Sequence, residues 1–217
     1  RTKEIDILAG LFSECCQEFR LERYPELCQL KGVLQEEAFH GEGDVYRHTE
    51  MVCQVLTEFP EWSVLSAGER EVLFSAAAYH DIGKKSCTRQ EEGKILSPRH
   101  ALVGEKIFRA LVYRENGQFG LDFAQREQAA KLIRFHGLPL WFAEKQRPEA
   151  ELLKAAESIP LRWLYLLAKA DVLGRIADDR EALAEQVEWF GEFARELGVW
   201  EKPHIFYNSY TKERFFR

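Results

Sequence analysis

The sequence predicts an all-α fold, one compact helical bundle with a short hairpin near residues 85–97. Three observations predict it. Apolar residues recur at helical spacing through most of the chain. Pro25, Pro60, Pro98, Pro139 and Pro160 fall at the ends of the periodic segments, and Gly83 and Gly137 follow two of them. Hydrophobic residues make up 46% of the 217, enough to give one large domain a substantial core.

The elements follow in order. Ile5, Leu8, Phe12, Cys15 and Phe19 mark one amphipathic helix. Pro25 opens a second, with Leu27, Leu30 and Leu34 on its apolar side. "HGEGD" (40–44) reads as a loop, and Asp44 caps the next helix, whose stripe is Val45, His48, Val52, Val55 and Phe59. Pro60 ends it. Residues 69–82 form another helix, stopped near Gly83. "KKSCTRQEEGKIL" is polar and turns at Glu92–Gly93. Ser97 then caps a helix with Pro98 in its first turn. A further helix covers 122–136, stopped by Gly137 and Pro139. Residues 148–157 are short and helical, 160–176 are long and apolar, and 179–197 are charged and amphipathic. The boundaries divide the chain into a helical domain, 1–198, and an extended aromatic tail, 199–217.

Composition excludes several classes. A net charge of −6 argues against tight nonspecific binding to long nucleic-acid duplexes. No apolar run approaches the ~20 residues that span a bilayer, so no membrane partner is expected. No signal-peptide pattern is visible, and with Arg1 rather than Met first the sequence reads as a fragment. Five cysteines without a CxxC pair argue against a zinc ribbon or a disulfide framework and read as thiols of a cytoplasmic protein.

The histidines carry the chemistry. His40, in a Gly/Glu loop, and His204, in the tail, read as exposed spectators. His48 shares the apolar stripe of its helix and points inward. His80 and Asp81 are consecutive in "SAAAYHDIGKK", about 100° apart on a helix. Ala76, Ala77 and Ala78 leave that surface flat, so other helices can bring ligands close. His100 stands in the first turn of its helix, one turn before Gly104, and His136 closes the stripe of Ala129, Leu132 and Ile133. Asp171 lies in the apolar helix "LRWLYLLAKADVLGR", where a carboxylate is costly unless paired or metal-bound. Its alternative is an internal pair with Arg175, one turn on.

Five separated segments thus offer inward His or Asp side chains: His48, His80–Asp81, His100, His136 and Asp171. Mixed His/Asp ligands suit Mn, Fe, Co, Ni or Zn rather than Ca. Six ligands are too many for one open catalytic metal and suit two divalent ions bridged by Asp81, an arrangement that polarises phosphoryl oxygens.

This ordered set resembles the HD superfamily of metal-dependent phosphohydrolases. His48, His80–Asp81 and Asp171 match its first His, adjacent His-Asp and later Asp, and His100 and His136 make it similar to the binuclear members. The resemblance spans about 44–176 within the 1–198 domain. "HDIGK", "SPRHALVGEKI" and "RFHGLP" look like HD domains that act on RNA ends, those of bacterial tRNA nucleotidyltransferases and of an end-healing protein in which the phosphohydrolase precedes a polynucleotide kinase. The tail (204–217) looks like the junction to such a kinase, and no P-loop motif occurs in the chain itself.

The resemblance implies an enzyme that removes 2′,3′-cyclic, 2′- or 3′-phosphates from RNA 3′ ends in RNA repair. Asp81 and Lys84 are its implied catalytic residues. Lys84, Arg99, Arg134 and Arg175 are candidates for substrate phosphate, Arg175 because guanidinium geometry suits phosphate. The alternative is hydrolysis of small nucleotides, dinucleoside polyphosphates or nucleoside monophosphates. A more remote one is a di-iron oxygenase on the same ligands. Whether His100 and His136 hold a second metal or touch substrate stays open.

Overall fold

The computed structural model describes residues 21, 24–114, 120–206, 209, 212 and 213. The expected helix around Ile5–Phe19 lies outside them. The described chain is helical apart from one hairpin, as the periodicity predicts.

Helix α1, Pro25–Cys28, is only four residues long. Leu27 and Leu30 are buried as expected, but Leu34 is exposed, because the chain leaves helical geometry at Gly32 (φ +73°). Helix α2, Val45–Glu58, begins at Asp44, whose carboxylate accepts from the N–H groups of Arg47 (2.9 Å) and Gly32 (2.7 Å). Such a cap stabilises a helix by about 1 kcal/mol. The short α3, Pro60–Val64, follows.

Helix α4, Ala67–Tyr79, opens on a reciprocal capping box between Ser66 and Glu69. Every residue from Val72 to Tyr79 is buried. Small and apolar residues on all faces suit a helix wrapped on several sides, and α4 packs against α2, α7 (Phe123–Phe135) and α10 (Leu161–Leu173). His80–Gly83 then turn into the short α5, Lys84–Cys87.

Strands β1, Arg89–Glu91, and β2, Lys94–Leu96, pair antiparallel through the expected turn at Glu92 (φ +49°) and Gly93 (φ +78°). The helix expected from Ser97 starts later, at α6, His100–Arg114. Arg99 has left-handed backbone (φ +59°), which breaks helical geometry, and the Ser97 hydroxyl is engaged by Thr88 (2.8 Å). Helix α7 is capped by Asp122 with Gln125. Pro139 does not simply stop it but sits in the first turn of α8, Leu138–Trp141, where its missing N–H costs nothing. A 3₁₀ turn, Phe142–Glu144, and α9, Pro148–Ala155, lead to α10, and α11, Arg180–Glu196, packs along α10. The described start of the tail, 199–206, is tied to this body: the Leu161 and Arg162 N–H groups donate to Val199 and Trp200, and the His204 N–H donates to the Ala156 carbonyl at 2.7 Å; most of the rest of the expected tail lies outside the described residues.

Two glycines set the closest backbone contacts. A Cβ on Gly83 would stand 2.1 Å from the His100 carbonyl oxygen and 2.8 Å from the Gly104 nitrogen. A Cβ on Gly174, after α10, would stand 2.8 Å from the Val52 nitrogen of α2. Backbone rather than flexible side chain is in the way. Gly83→Ala is therefore expected to destabilise the fold by about 3 kcal/mol or more. Gly137→Ala, with open space around it, should stay within about 0.5 kcal/mol. Urea unfolding of the two variants checks the contrast.

Candidate metal centre

The close approaches bring five elements to one point. α2 supplies His48, the turn after α4 supplies His80 and Asp81, α6 supplies His100, the end of α7 supplies His136, and α10 supplies Asp171. His48, His80, Asp81, His136 and Asp171 are buried, and His100 is partly exposed. All six residues proposed from sequence are brought together.

Three of the histidines are oriented in the same way. His80 Nδ1 donates to the Ala77 carbonyl, His100 Nδ1 to Ser97 and His136 Nδ1 to Ile133, each at 2.8 Å. A carbonyl only accepts, so each Nδ1 carries the proton, and in the neutral ring each Nε2 presents a lone pair. Those lone pairs converge on Asp81. His80 Nε2 is 3.2 Å from Asp81 Oδ2. His100 Nε2 and His136 Nε2 lie 3.3 and 3.8 Å from Asp81 Oδ1. His48 Nε2 lies 4.0 Å from Asp81 Oδ2 and 3.1 Å from Asp171 Oδ1.

The two oxygens of Asp81 thus face different partners. Oδ2 looks toward His48 and His80, and Oδ1 toward His100 and His136. His48–His80–Asp81 and Asp81–His100–His136 each gather three ligand atoms closely enough to hold a cation, with Asp81 common to both. The chemistry of the donors fits a metal. His100 Nε2 and His136 Nε2 face one another at 3.3 Å, lone pair to lone pair. His80 Nε2 and Asp81 Oδ1 are buried without a hydrogen-bond partner. Buried polar atoms normally find one, and a cation between these groups removes the conflict.

Charge around the cluster is unequal. The Asp81 carboxyl is penalised by burial, but Lys84, His80 and His100 outweigh that and hold it well below the usual carboxylate range. Asp171 behaves alike, with burial opposed by Arg175 and His48. Burial together with His80 and His100 pushes His136 down to about 3, so that ring is neutral in ordinary buffers, as a ligand must be.

Lys84 is buried rather than solvated. Its Nζ lies 2.8 Å from Asp81 Oδ2 and donates to Gln35 Oε1 at 2.7 Å. Lys84 and His100 also line a pocket of about 190 Å³, with Gln35, Glu36, Phe39, His40, Ile95 and Ser97. The three arginines proposed for substrate phosphate are placed otherwise. Arg175 is buried and spends its guanidinium on Asp171 Oδ1 (2.5 Å) and its Nε–H on the Asp171 carbonyl. Of the two readings of Asp171, the pair with Arg175 is present, and the same Oδ1 also stands 3.1 Å from His48 Nε2. Arg134 leans on Glu105 (3.7 Å) and the Phe135 ring. Arg99 is exposed. None of the three lines the pocket.

His40 is not the exposed spectator expected from its loop. Its ring touches that of His48, and its Nδ1 lies 2.8 Å from Glu42 Oε1. Sequence reasoning missed Glu42 itself. Its side chain is 1% exposed, and Oε1 also stands 2.9 Å from His48 Nδ1, although out of line for a straight hydrogen bond. Its Oε2 accepts from the Ile176 N–H at 2.8 Å. Burial raises the Glu42 pKa, but His40 and His48 outweigh it and bring it far below normal. A carboxylate behind a ligand histidine fixes the ring and raises its basicity. The glycines around it permit this: Gly41 packs against Ile176 and Gly43 adopts φ +111°, which folds the loop back onto the segment after α10.

No family model matches the chain, and no curated protein matches it. Among the described residues no helix is long and apolar enough to cross a membrane.

Addition of Mn²⁺, Co²⁺ or Ni²⁺ to chelator-treated protein is expected to raise its unfolding temperature, since a ligand bound only by the folded state stabilises it. The rise should vanish in Asp81→Ala. Glu42→Gln should weaken metal binding about 10–100-fold in chelator competition. An Asp81→Ala variant that gains as much from metal as the wild type would contradict the site.

Proposed function

We propose that the chain is a binuclear HD-type phosphohydrolase that removes 2′,3′-cyclic, 2′- or 3′-phosphates from RNA 3′ ends. The observation that carries this reading is the division of Asp81 between two ligand groups beside a lysine-lined pocket. The ordered ligand set and its surrounding motifs favour the same family.

Two divalent ions would be held by His48, His80, Asp81 and Asp171 on one side and Asp81, His100 and His136 on the other, and would supply Lewis-acid polarisation of a phosphoryl group. The protein's own residues do the rest. Lys84, fixed between Asp81 and Gln35, places one positive charge where a phosphoryl group enters. Arg175 keeps Asp171 ionised and aimed at the cluster. Glu42, 2.9 Å from His48 Nδ1, sits behind that ring and orients it. The pocket, about 190 Å³, is smaller than the ~300–1,000 Å³ typical of small-molecule sites. It suits a terminal phosphate with its sugar, the remainder of the strand staying outside, and this favours strand ends over whole dinucleoside polyphosphates. A linked kinase module beyond the C-terminus is consistent with this role.

The test is a short RNA ending in a 2′,3′-cyclic phosphate, incubated with protein and Mn²⁺, Co²⁺ or Ni²⁺. Ring opening or phosphate loss is expected, absent in Asp81→Ala and reduced about 10²-fold in Lys84→Ala. Metal-loaded protein that leaves every RNA phosphate end intact yet hydrolyses free nucleotides would overturn RNA ends as the substrate.

A further inference from the structure

The pocket beside Lys84 and His100 has one wall that supplies none of the six proposed metal ligands. It is the segment Gln35–His40. Gln35 is 8% exposed, and its Oε1 accepts from Lys84. An ammonium only donates, so the amide oxygen must face it and Nε2 must face away. That Nε2 is buried and has no hydrogen-bond partner. It is an unpaired donor on a residue that lines the pocket, and a small shift of the amide would let a ligand oxygen satisfy it.

Phe39 stands at the same pocket with 48% of its surface exposed. Its backbone is held in a turn: the Phe39 N–H donates to the Glu36 carbonyl at 3.0 Å and the His40 N–H to Glu37 at 3.3 Å. Ile95 of β2 also lines the pocket. Its N–H donates to Glu36 Oε2 at 2.8 Å, which ties the two walls together and sets the gap.

Size then decides what goes where. A volume of about 190 Å³ is below the ~300–1,000 Å³ of sites that enclose a whole small molecule. With the phosphate at Lys84 and the sugar against Gln35, a nucleobase would project past the rim. An exposed, backbone-fixed aromatic ring is the group that rewards this, since stacking accepts any base.

From this we infer that Gln35 and Phe39 form a nucleoside subsite: Gln35 Nε2 donates to a sugar or phosphate oxygen, and Phe39 stacks on the terminal base. The inference rests on the phosphohydrolase reading and deepens it. It makes the enzyme selective for phosphates carried by nucleosides, without preference among the bases.

Calorimetric titration of the Mn²⁺-loaded protein tests it, using the 3′-deoxy-3′-phosphonomethyl analogues of adenosine and of methyl riboside, in which CH₂ replaces the bridging oxygen and only one carries a base. The wild type should bind the adenosine compound about tenfold more tightly. Phe39→Ala should bring the ratio close to one, and Phe39→Trp should restore it. Gln35→Ala should weaken both ligands while keeping their ratio. Equal affinities in the wild type, or a ratio that survives Phe39→Ala, would overturn the subsite. Selective binding by a protein that hydrolyses no phosphate end would uphold the subsite and sink the hydrolase reading.

Discussion

Burial of the Asp81 carboxylate at the meeting point of five segments is the constraint on which the site depends. An ion taken out of water costs several kcal/mol unless it is compensated. Here Lys84 compensates it on one side, and four imidazoles surround the rest of it. Three of those imidazoles are locked by backbone carbonyls into the tautomer that aims lone pairs, not protons, at the carboxylate. Three buried carboxylates, Glu42, Asp81 and Asp171, face two buried cations, Lys84 and Arg175. With neutral histidines the protein alone leaves this cluster short of positive charge, which is the electrostatic condition for holding cations.

The backbone exists to make that convergence geometrically available. Small residues on α4, Ala76 to Ala78, let α2, α7 and α10 approach it. Gly83 passes the start of α6 at a distance that admits no side chain, and this sets His100 opposite His136. Gly174 does the same for α10 and α2, which sets Asp171 against His48. The loop containing Glu42 closes the arrangement by hydrogen-bonding to Ile176, just beyond Arg175.

Much of this was legible in the sequence because it depends on local periodicity. Helical stripes gave α2, α4, α7, α10 and α11, and the polar run after His80–Asp81 gave the hairpin. The ligand set was legible because a histidine or aspartate on an apolar stripe must point inward. What stayed hidden depends on contacts distant in sequence. Nothing local says that Glu42 will meet Ile176, since 134 positions separate them. The left-handed Arg99, which delays α6, occurs at a residue type that rarely adopts it. The arginines were chosen for their chemistry, but placement is tertiary: Arg175 was already engaged by Asp171, and Arg134 by Glu105.

The central claim is that Asp81 divides one cluster into two cation sites. Anomalous scattering from crystals grown with Mn²⁺ tests it most directly. The account predicts two peaks about 3.5–4 Å apart, one against each oxygen of Asp81, the first beside His48 and His80 and the second beside His100 and His136. A single peak, or two peaks that do not share Asp81, would contradict it.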